Sequence, residues 1–423
     1  MPPLPEAIRL VLAAFAPLFA QRVWLPAQLR LLGAGLAPGP RSVTAALRVM
    51  GLATECRFTN DHRLLNRAIG SARQGSRMLW GLLITGVVPP GAPLILGADD
   101  TVARRNGRKS QAKGGDREAM RSTNTHGLRC FGVKWVSLRR LVPGPWSRRV
   151  WALPLLTALC RPVDQHGRPR HKTSVGGVRQ LRPHVRRWLP GRQLVLVVDG
   201  GFAAVALALA GVKRQVTMVS RLRWDAARYH PPGPQPLGTR GPKPLQGKRQ
   251  RHLQGWGERA DTPWPTGAVD WYGGQRQQLW GFSRTTWWYT PGVPPVDIRD
   301  GLGCDPAGTW QMAAFCGTDL QATPVQMLSW VVRRWSVAVT CEEARAPPGW
   351  ETQGQGSDLA RARTTPVLLA VCSIVTRLAL RLSPDGRLWR ARYVVTSAPE
   401  AECGQFPREA FELLSNGLPF AAY

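Results

Sequence analysis

Apolar positions recur every three or four residues over residues 1–90, the period of helices that bury one face. Pro and Gly interrupt that rhythm near 33–40 and 89–93, where turns are expected. Inside this region residues 41–51 read as a short helix closed by Gly51. Residues 61–68 read as a second one with Asp61 as its N-cap. The pattern then changes. Residues 94–98 (Leu-Ile-Leu-Gly-Ala) and 194–198 (Leu-Val-Leu-Val-Val) are unbroken apolar runs, the mark of short strands covered on both faces. The first runs into Asp99-Asp100 and the second into Asp199. Between them lie strand-like runs at 131–138 and 150–155 and a helical stretch at 172–190, and a helix is expected over 202–214. That succession resembles the core order of a ribonuclease H-type fold.

Residues 216–323 have another character. Runs at 216–222, 277–282 and 285–289 alternate like strands, while Pro and Gly crowd 231–247 around a basic loop at 240–249. Residues 325–346 hold no Gly or Pro and stop at Pro347-Pro348, so the pattern predicts one long helix. A second is predicted over 357–382, kinked or restarted at Pro366. The tail is weakly patterned and no internal repeat is evident. These shifts divide the chain into a helical part at 1–92, an α/β part at 93–215, a β-rich basic insertion at 216–323 and a helical part at 324–423.

Composition narrows the classes. The chain has 423 residues, 43% hydrophobic and 20% charged, which fits a folded protein of two or three domains. Its 57 Lys+Arg against 26 Asp+Glu give a formal charge of +31, an excess that calls for a polyanion partner, usually nucleic acid. Most of the 18 Trp belong in cores, and a few are available to stack on bases. The 8 Cys show no CxxC pair, so a zinc site is not expected and reduced thiols are. The apolar run at 8–20 contains Arg9 and Pro17 and is too short to span a bilayer; no other stretch reaches membrane length by this reading. A soluble, cytoplasmic protein is expected. The histidines show no ligand spacing such as HExxH.

The candidate chemistry sits at the two strand ends. A buried strand that ends in Asp places a carboxylate at the sheet rim, where open α/β sheets hold ligands. Two such carboxylates on neighbouring strands suit a shared hard cation, Mg²⁺ or Mn²⁺. Equally, each Asp can cap the next element or open a turn. Asp100 and Asp199 are the candidates; Asp99 should point to the opposite face of its strand from Asp100 and ranks below it. Arg41, Arg48, Arg63 and Arg67 fall on the two short helices, which fit a helix-turn-helix-like DNA reader or a plain helical domain. Arg104, Arg105, Arg108 and Lys109 follow the first carboxylates, and Lys243, Lys248 and Arg249 lie in the basic loop. Arg334 and Arg345 lie on the long helix, suited to a phosphate or to a structural ion pair.

Asp100-Thr101 after a strand, Asp199 in Val-Val-Asp-Gly-Gly-Phe, a β-rich insertion and then Arg334-Trp335-Ser336-Val337 on a long helix form an ordered set. In that order the chain resembles the DDE transposases, and more narrowly the insertion-sequence transposases of the IS4/IS701 type. The resemblance covers nearly the whole chain, including residues 41–51, 62–68 and 104–109, Glu351-Thr352-Gln353 and Arg363-Thr364-Thr365-Pro366. It implies an α/β fold with a ribonuclease H-like catalytic core, a β-rich insertion and an N-terminal helical DNA-binding domain. Such proteins cut the ends of a mobile element and join them to target DNA, using carboxylates that hold two Mg²⁺ or Mn²⁺ ions. The implied partners are double-stranded terminal inverted repeats and target DNA, engaged by a homodimer in the nucleoid.

Asp100 and Asp199 match the first two acidic positions of that family. The third should be a Glu four residues after Arg334, yet Ala338 stands there, while the family's later basic position is kept by Arg345. The family's Tyr before the Arg is replaced by Val331. Glu342 lies one turn beyond Ala338, about 5.4 Å along the axis, and reaches the site only through a helix shift or a bridging water. A transposase impaired at this position is therefore expected, the alternative being an inactive DNA-binding protein of transposase descent.

Overall fold

The computed structural model describes residues 6–382 apart from 38, 57, 69, 86–90, 105–111, 118–126, 144–149, 161–172, 235–241, 243, 260, 272–275, 307–310, 346–350, 353–354 and 356. The chain opens with α1 (Glu6–Ala13), α2 (Gln21–Leu36), α3 (Val43–Val49), α4 (Thr59–Arg67) and α5 (Ala72–Thr85). An α/β stretch follows: β1 (Leu94–Arg104), β2 (Lys113–Arg117), β3 (Arg129–Pro143), β4 (Val150–Leu159), α6 (Ser174–Trp188), β5 (Leu194–Val198), α7 (Val205–Val212) and β6 (Val216–Arg221). Next come β7 (Arg228–Tyr229), α8 (Gln254–Gly257), β8 (Thr266–Asp270), β9 (Arg276–Thr290), β10 (Val293–Cys304) and β11 (Ala313–Gly317). The described chain closes with α9 (Pro324–Arg333), α10 (Trp335–Arg345) and α11 (Asp358–Leu382).

One sheet organises the molecule. β4, β3 and β1 form an antiparallel meander; β5 lies parallel to β1, and β6 parallel to β5. This mixed α/β arrangement, largely antiparallel with helices on its faces, is compatible with a ribonuclease H-like fold. β6, allotted to the insertion by composition, is thus a strand of the core sheet, because its Val216, Met218 and Val219 are buried beside β5. β11 pairs antiparallel with β6 and carries the sheet on through β10 and β9 to β7. β9 is one strand where two runs were expected: Arg284, the polar break between them, lies opposite Asp300 of β10 and over the Trp256 ring at 4.4 Å. Pro294, Pro295 and the charged Asp297 and Arg299 hide β10 from a period-2 reading.

Alternation in β1 and β5 sorts the core into two sides. Leu94, Leu96, Ala98, Leu194, Leu196 and Val198 face α6 and α7, packing with Val178, Leu181, Val185 and Leu207. Ile95, Val195 and Val197 face the other way, packing with Met327, Leu328 and Trp330 of α9 and Val337 of α10. Each such side chain contributes roughly 1.5–3 kcal/mol when fully buried.

The expected long helix is two helices meeting at Arg334. There the amide of Arg334 donates to the Val331 carbonyl and the amide of Val337 donates to Arg334, the tighter three-residue step. α11, by contrast, runs unbroken through Pro366. It packs on β4 and on α1, α2, α4 and α5, so the C-terminal helix completes the N-terminal helical layer. Its residues Asp358–Leu378 are long and apolar enough to cross a membrane by length and composition, which corrects the expectation that no stretch is; 61% of that window is buried inside the fold. Ser42 caps α3 as its position suggests, accepting from the Ala45 amide at 3.0 Å, and Gly51 takes φ +73 beyond the helix end. Asp61 is not a cap. It lies inside the first turn of α4, buried, accepting from Arg30 Nε at 3.0 Å.

Candidate active site

The parallel register of β1 and β5 places Ala98 opposite Val198. One residue further, Asp99 continues β1, which runs on to Arg104, while Asp199 directly follows the last residue of β5. The side-chain alternation carries Asp99 to the α10 side with Ile95 and Gly97. Asp100 goes to the α6 side with Leu96 and Ala98. Asp99 and Asp100 therefore stand on opposite sides of β1. Alternation alone makes the two neighbours diverge; which side carries the closing helix is a tertiary fact. In the same row, Ser220 of β6 lies opposite Val198, so exposed Arg221 extends the line past Asp199.

Around Asp99 the charges are arranged for an anion. Arg334 Nη1 stands 3.7 Å from its Oδ2, and its Oδ1 accepts the Asp100 amide at 2.8 Å. Burial pushes the Asp99 carboxyl up to about 6; Arg334 and Arg139 pull against that, and Asp100 adds to it. Asp199 Oδ1 accepts the Gly200 amide at 2.7 Å and so caps the turn Gly200–Phe202 while standing at the rim.

Two residues that sequence reasoning passed over hold α10 in place. A Cβ built on Gly97 would meet Val337 Cγ2 at 2.5 Å, so the helix approaches β1 this closely only because position 97 lacks a side chain. Arg139 of β3, opposite Gly97 and fully buried, donates through Nη1 to the Val337 carbonyl at 2.6 Å. The Gly in an apolar strand two residues before a carboxylate was the available signal. Ala338 lies four residues after Arg334, in the first half of α10. Glu342 and Arg345 belong to α10, but their side chains lie outside the described residues.

Asp100 has a different setting. It accepts from Ser174 Oγ at the start of α6 and lies 3.3 Å from Lys134 Nζ, which also meets Asp116 at 2.9 Å. Burial pulls the Lys134 ammonium down, but Asp100 and Asp116 outweigh it and its pKa ends above the ordinary value. Cys160 beside this network is raised to about 11, by burial first and then by Asp100. These pairs tie β1, β3, β2 and α6 together.

With the carboxylates, their strands and α10 in place, the comparison with known families is decisive: residues 14–278 match the model of the DDE superfamily endonuclease family. The chain belongs to the DDE superfamily endonucleases. No curated protein matches it. The match takes in both carboxylate strands and ends within β9, before the helix that carries Ala338. Endonucleases of this superfamily act on DNA and generally use divalent metal ions. Asp99 and Asp199 supply hard oxygen donors from adjacent strands, which suit such an ion. The donor set is short, however: among the described residues no group of three His, Cys, Asp or Glu is placed to hold a metal.

Of the basic residues expected to meet this endonuclease's DNA, Arg48, Arg63, Arg67, Arg104, Lys248 and Arg249 are exposed. Arg41 is buried, donating to the Gly39 carbonyl at 3.1 Å, and faces the cavity between the N-terminal helices and α11 instead of solvent. α3 packs on α2, and α4 lies against α2 and α11, an arrangement built around α2 rather than around a paired α3 and α4. Arg105, Arg108, Lys109 and Lys243 lie outside the described residues.

Proposed function

We propose that this endonuclease is a transposase that binds the inverted ends of an insertion sequence and performs metal-dependent strand cleavage and transfer, weakened by Ala338. The observation that carries it is the adjacency of parallel β1, which bears Asp99 and Asp100, and β5, which runs into Asp199, with Arg334 at the α9–α10 junction 3.7 Å from Asp99. Asp99 and Asp199 would hold Mg²⁺ or Mn²⁺, which supplies activation of water or a 3′-hydroxyl and stabilises the leaving oxygen. Arg334 and Arg221 then neutralise the phosphate presented to the pair. Asp99 ionises above about pH 6 and accepts Arg334 as its counter-charge until a better cation arrives. The exposed arginines of α3 and α4 and the basic loop hold the flanking duplex, in a dimer across two ends.

The second reading is a DNA-binding protein of transposase descent without chemistry, which Ala338 favours: losing one carboxylate removes negative charge where the metal is held. The two readings part in one assay. A duplex carrying the flanking inverted repeat is incubated with Mg²⁺ and then Mn²⁺, with the native chain beside Ala338→Glu. Cleavage by the Glu variant alone, lost on adding Asp99→Asn and kept on adding Asp100→Asn, is the expected result. Cleavage that needs Asp100 and survives Asp99→Asn would overturn the assignment of the pair. Binding without cutting by every version would leave the DNA-binding reading.

A further inference from the structure

The side of the sheet away from Asp99 is covered by α5, α6 and α7, and none of the three contains an Asp or Glu. Six exposed cations stand on these helices or on the turn after α7: Arg73, Arg77, Arg179, Arg187, Lys213 and Arg214. Among the described residues no carboxylate pairs with any of them. Some exposed arginines elsewhere do have a carboxylate: Arg9 has Glu6, Arg223 has Asp225 and Arg259 has Asp261.

The cations also converge. Arg73 of α5 and Arg187 of α6 lie near enough to His184, which stacks on Trp188, to help burial hold its pKa below the ordinary value. Arg214 and Arg179 do the same to the buried Arg182, from the turn after α7 and from α6. Like charges from three elements, gathered without counter-charge, repel one another unless a polyanion lies across them. A duplex engaged at Asp99 would have to wrap the sheet edge to touch this face.

We propose that the α5–α6–α7 face is a second docking surface, for the phosphate backbone of a duplex DNA segment distinct from the one at Asp99 and Asp199. The proposal rests on the reading that the chain works on DNA, and is independent of whether it cuts.

The test is arginine modification by phenylglyoxal on the full chain, with and without a mixed-sequence duplex, read residue by residue by mass spectrometry. Protection of Arg73, Arg179, Arg187 and Arg214 is expected, and equally so in Asp99→Asn protein. A variant with these four changed to Gln, all exposed and so expected to keep the native melting temperature, should bind the duplex more weakly. Its plot of log affinity against log salt should flatten by about 0.9 for each phosphate that the variant no longer neutralises. Equal modification with and without duplex, or an unchanged slope in the variant, overturns the proposal. Protection confined to α3, α4 and the α10 side keeps the DNA reading and removes this second surface. No protected arginine anywhere removes both.

Discussion

Asp99 is held in the fold at a cost, because burial disfavours its charged form. Its carboxyl has a pKa of about 6 against an ordinary 3.8, so the folded chain binds this proton more tightly than the unfolded chain does. For an acid raised in this way, stability falls as pH rises from about 4 to 6 and stays lower above that. Asp99→Asn should therefore stabilise the metal-free protein at pH 7, by on the order of 1–3 kcal/mol, and have little effect at pH 4. Thermal melts at the two pH values check this; a variant that melts lower at pH 7 would mean that the Arg334 pairing outweighs the burial. Asp100 is held by its hydrogen-bond and ion-pair partners. Changing it to Ala leaves Ser174 Oγ without its acceptor and Lys134 with Asp116 alone, so Asp100→Ala should destabilise by about 1–3 kcal/mol at neutral pH in the same melts.

At the scale of elements, the site depends on how near α10 comes to β1. Gly97→Ala places a methyl group where Val337 already sits, at 2.5 Å, and overpacking of this kind costs roughly 1–3 kcal/mol. The more telling effect is displacement of α10 from Asp99, so restoring Glu at 338 should fail to give cleavage in a Gly97→Ala background that still folds. Arg139→Met removes the buried donor to the Val337 carbonyl and should loosen the same helix; hydrogen exchange over residues 335–341 reports it directly. Of these elements β5 and the first half of β1 were plain in the sequence, because a strand covered on both faces is apolar at every position; the second half of β1, residues 99–104, was hidden by its polar residues. The junction at Arg334 was not. Nothing in residues 325–346 breaks a helix locally, and the two halves part because α9 packs along β8, β9 and β11 while α10 follows β4 and β1.

For the molecule as a whole, a formal charge of +31 predicts DNA binding that weakens steeply with salt, by on the order of 10³-fold or more between 50 and 200 mM if several phosphates are engaged. Fluorescence anisotropy on a duplex at a series of salt concentrations measures it; a flat profile would remove nucleic acid as the partner of that charge. The sequence by itself determined the apolar runs and the carboxylates that follow them, the basic balance and the alanine at position 338, because these depend on local pattern and composition; that β1 continues past Asp100 to Arg104 comes from its pairing with β3. The sequence also determined that Asp99 and Asp100 must point apart. Only the tertiary structure decided that Asp99 is the one on the side where α10 closes, since that depends on packing across the sheet. The same holds for Arg41, whose sequence position suggested a phosphate partner but which the packing of α2 and α11 turned inward, and for Asp61, taken from its cap by Arg30 thirty-one residues away. Alternation along one strand is set by neighbouring residues; the side that matters is set by packing between residues hundreds of positions apart.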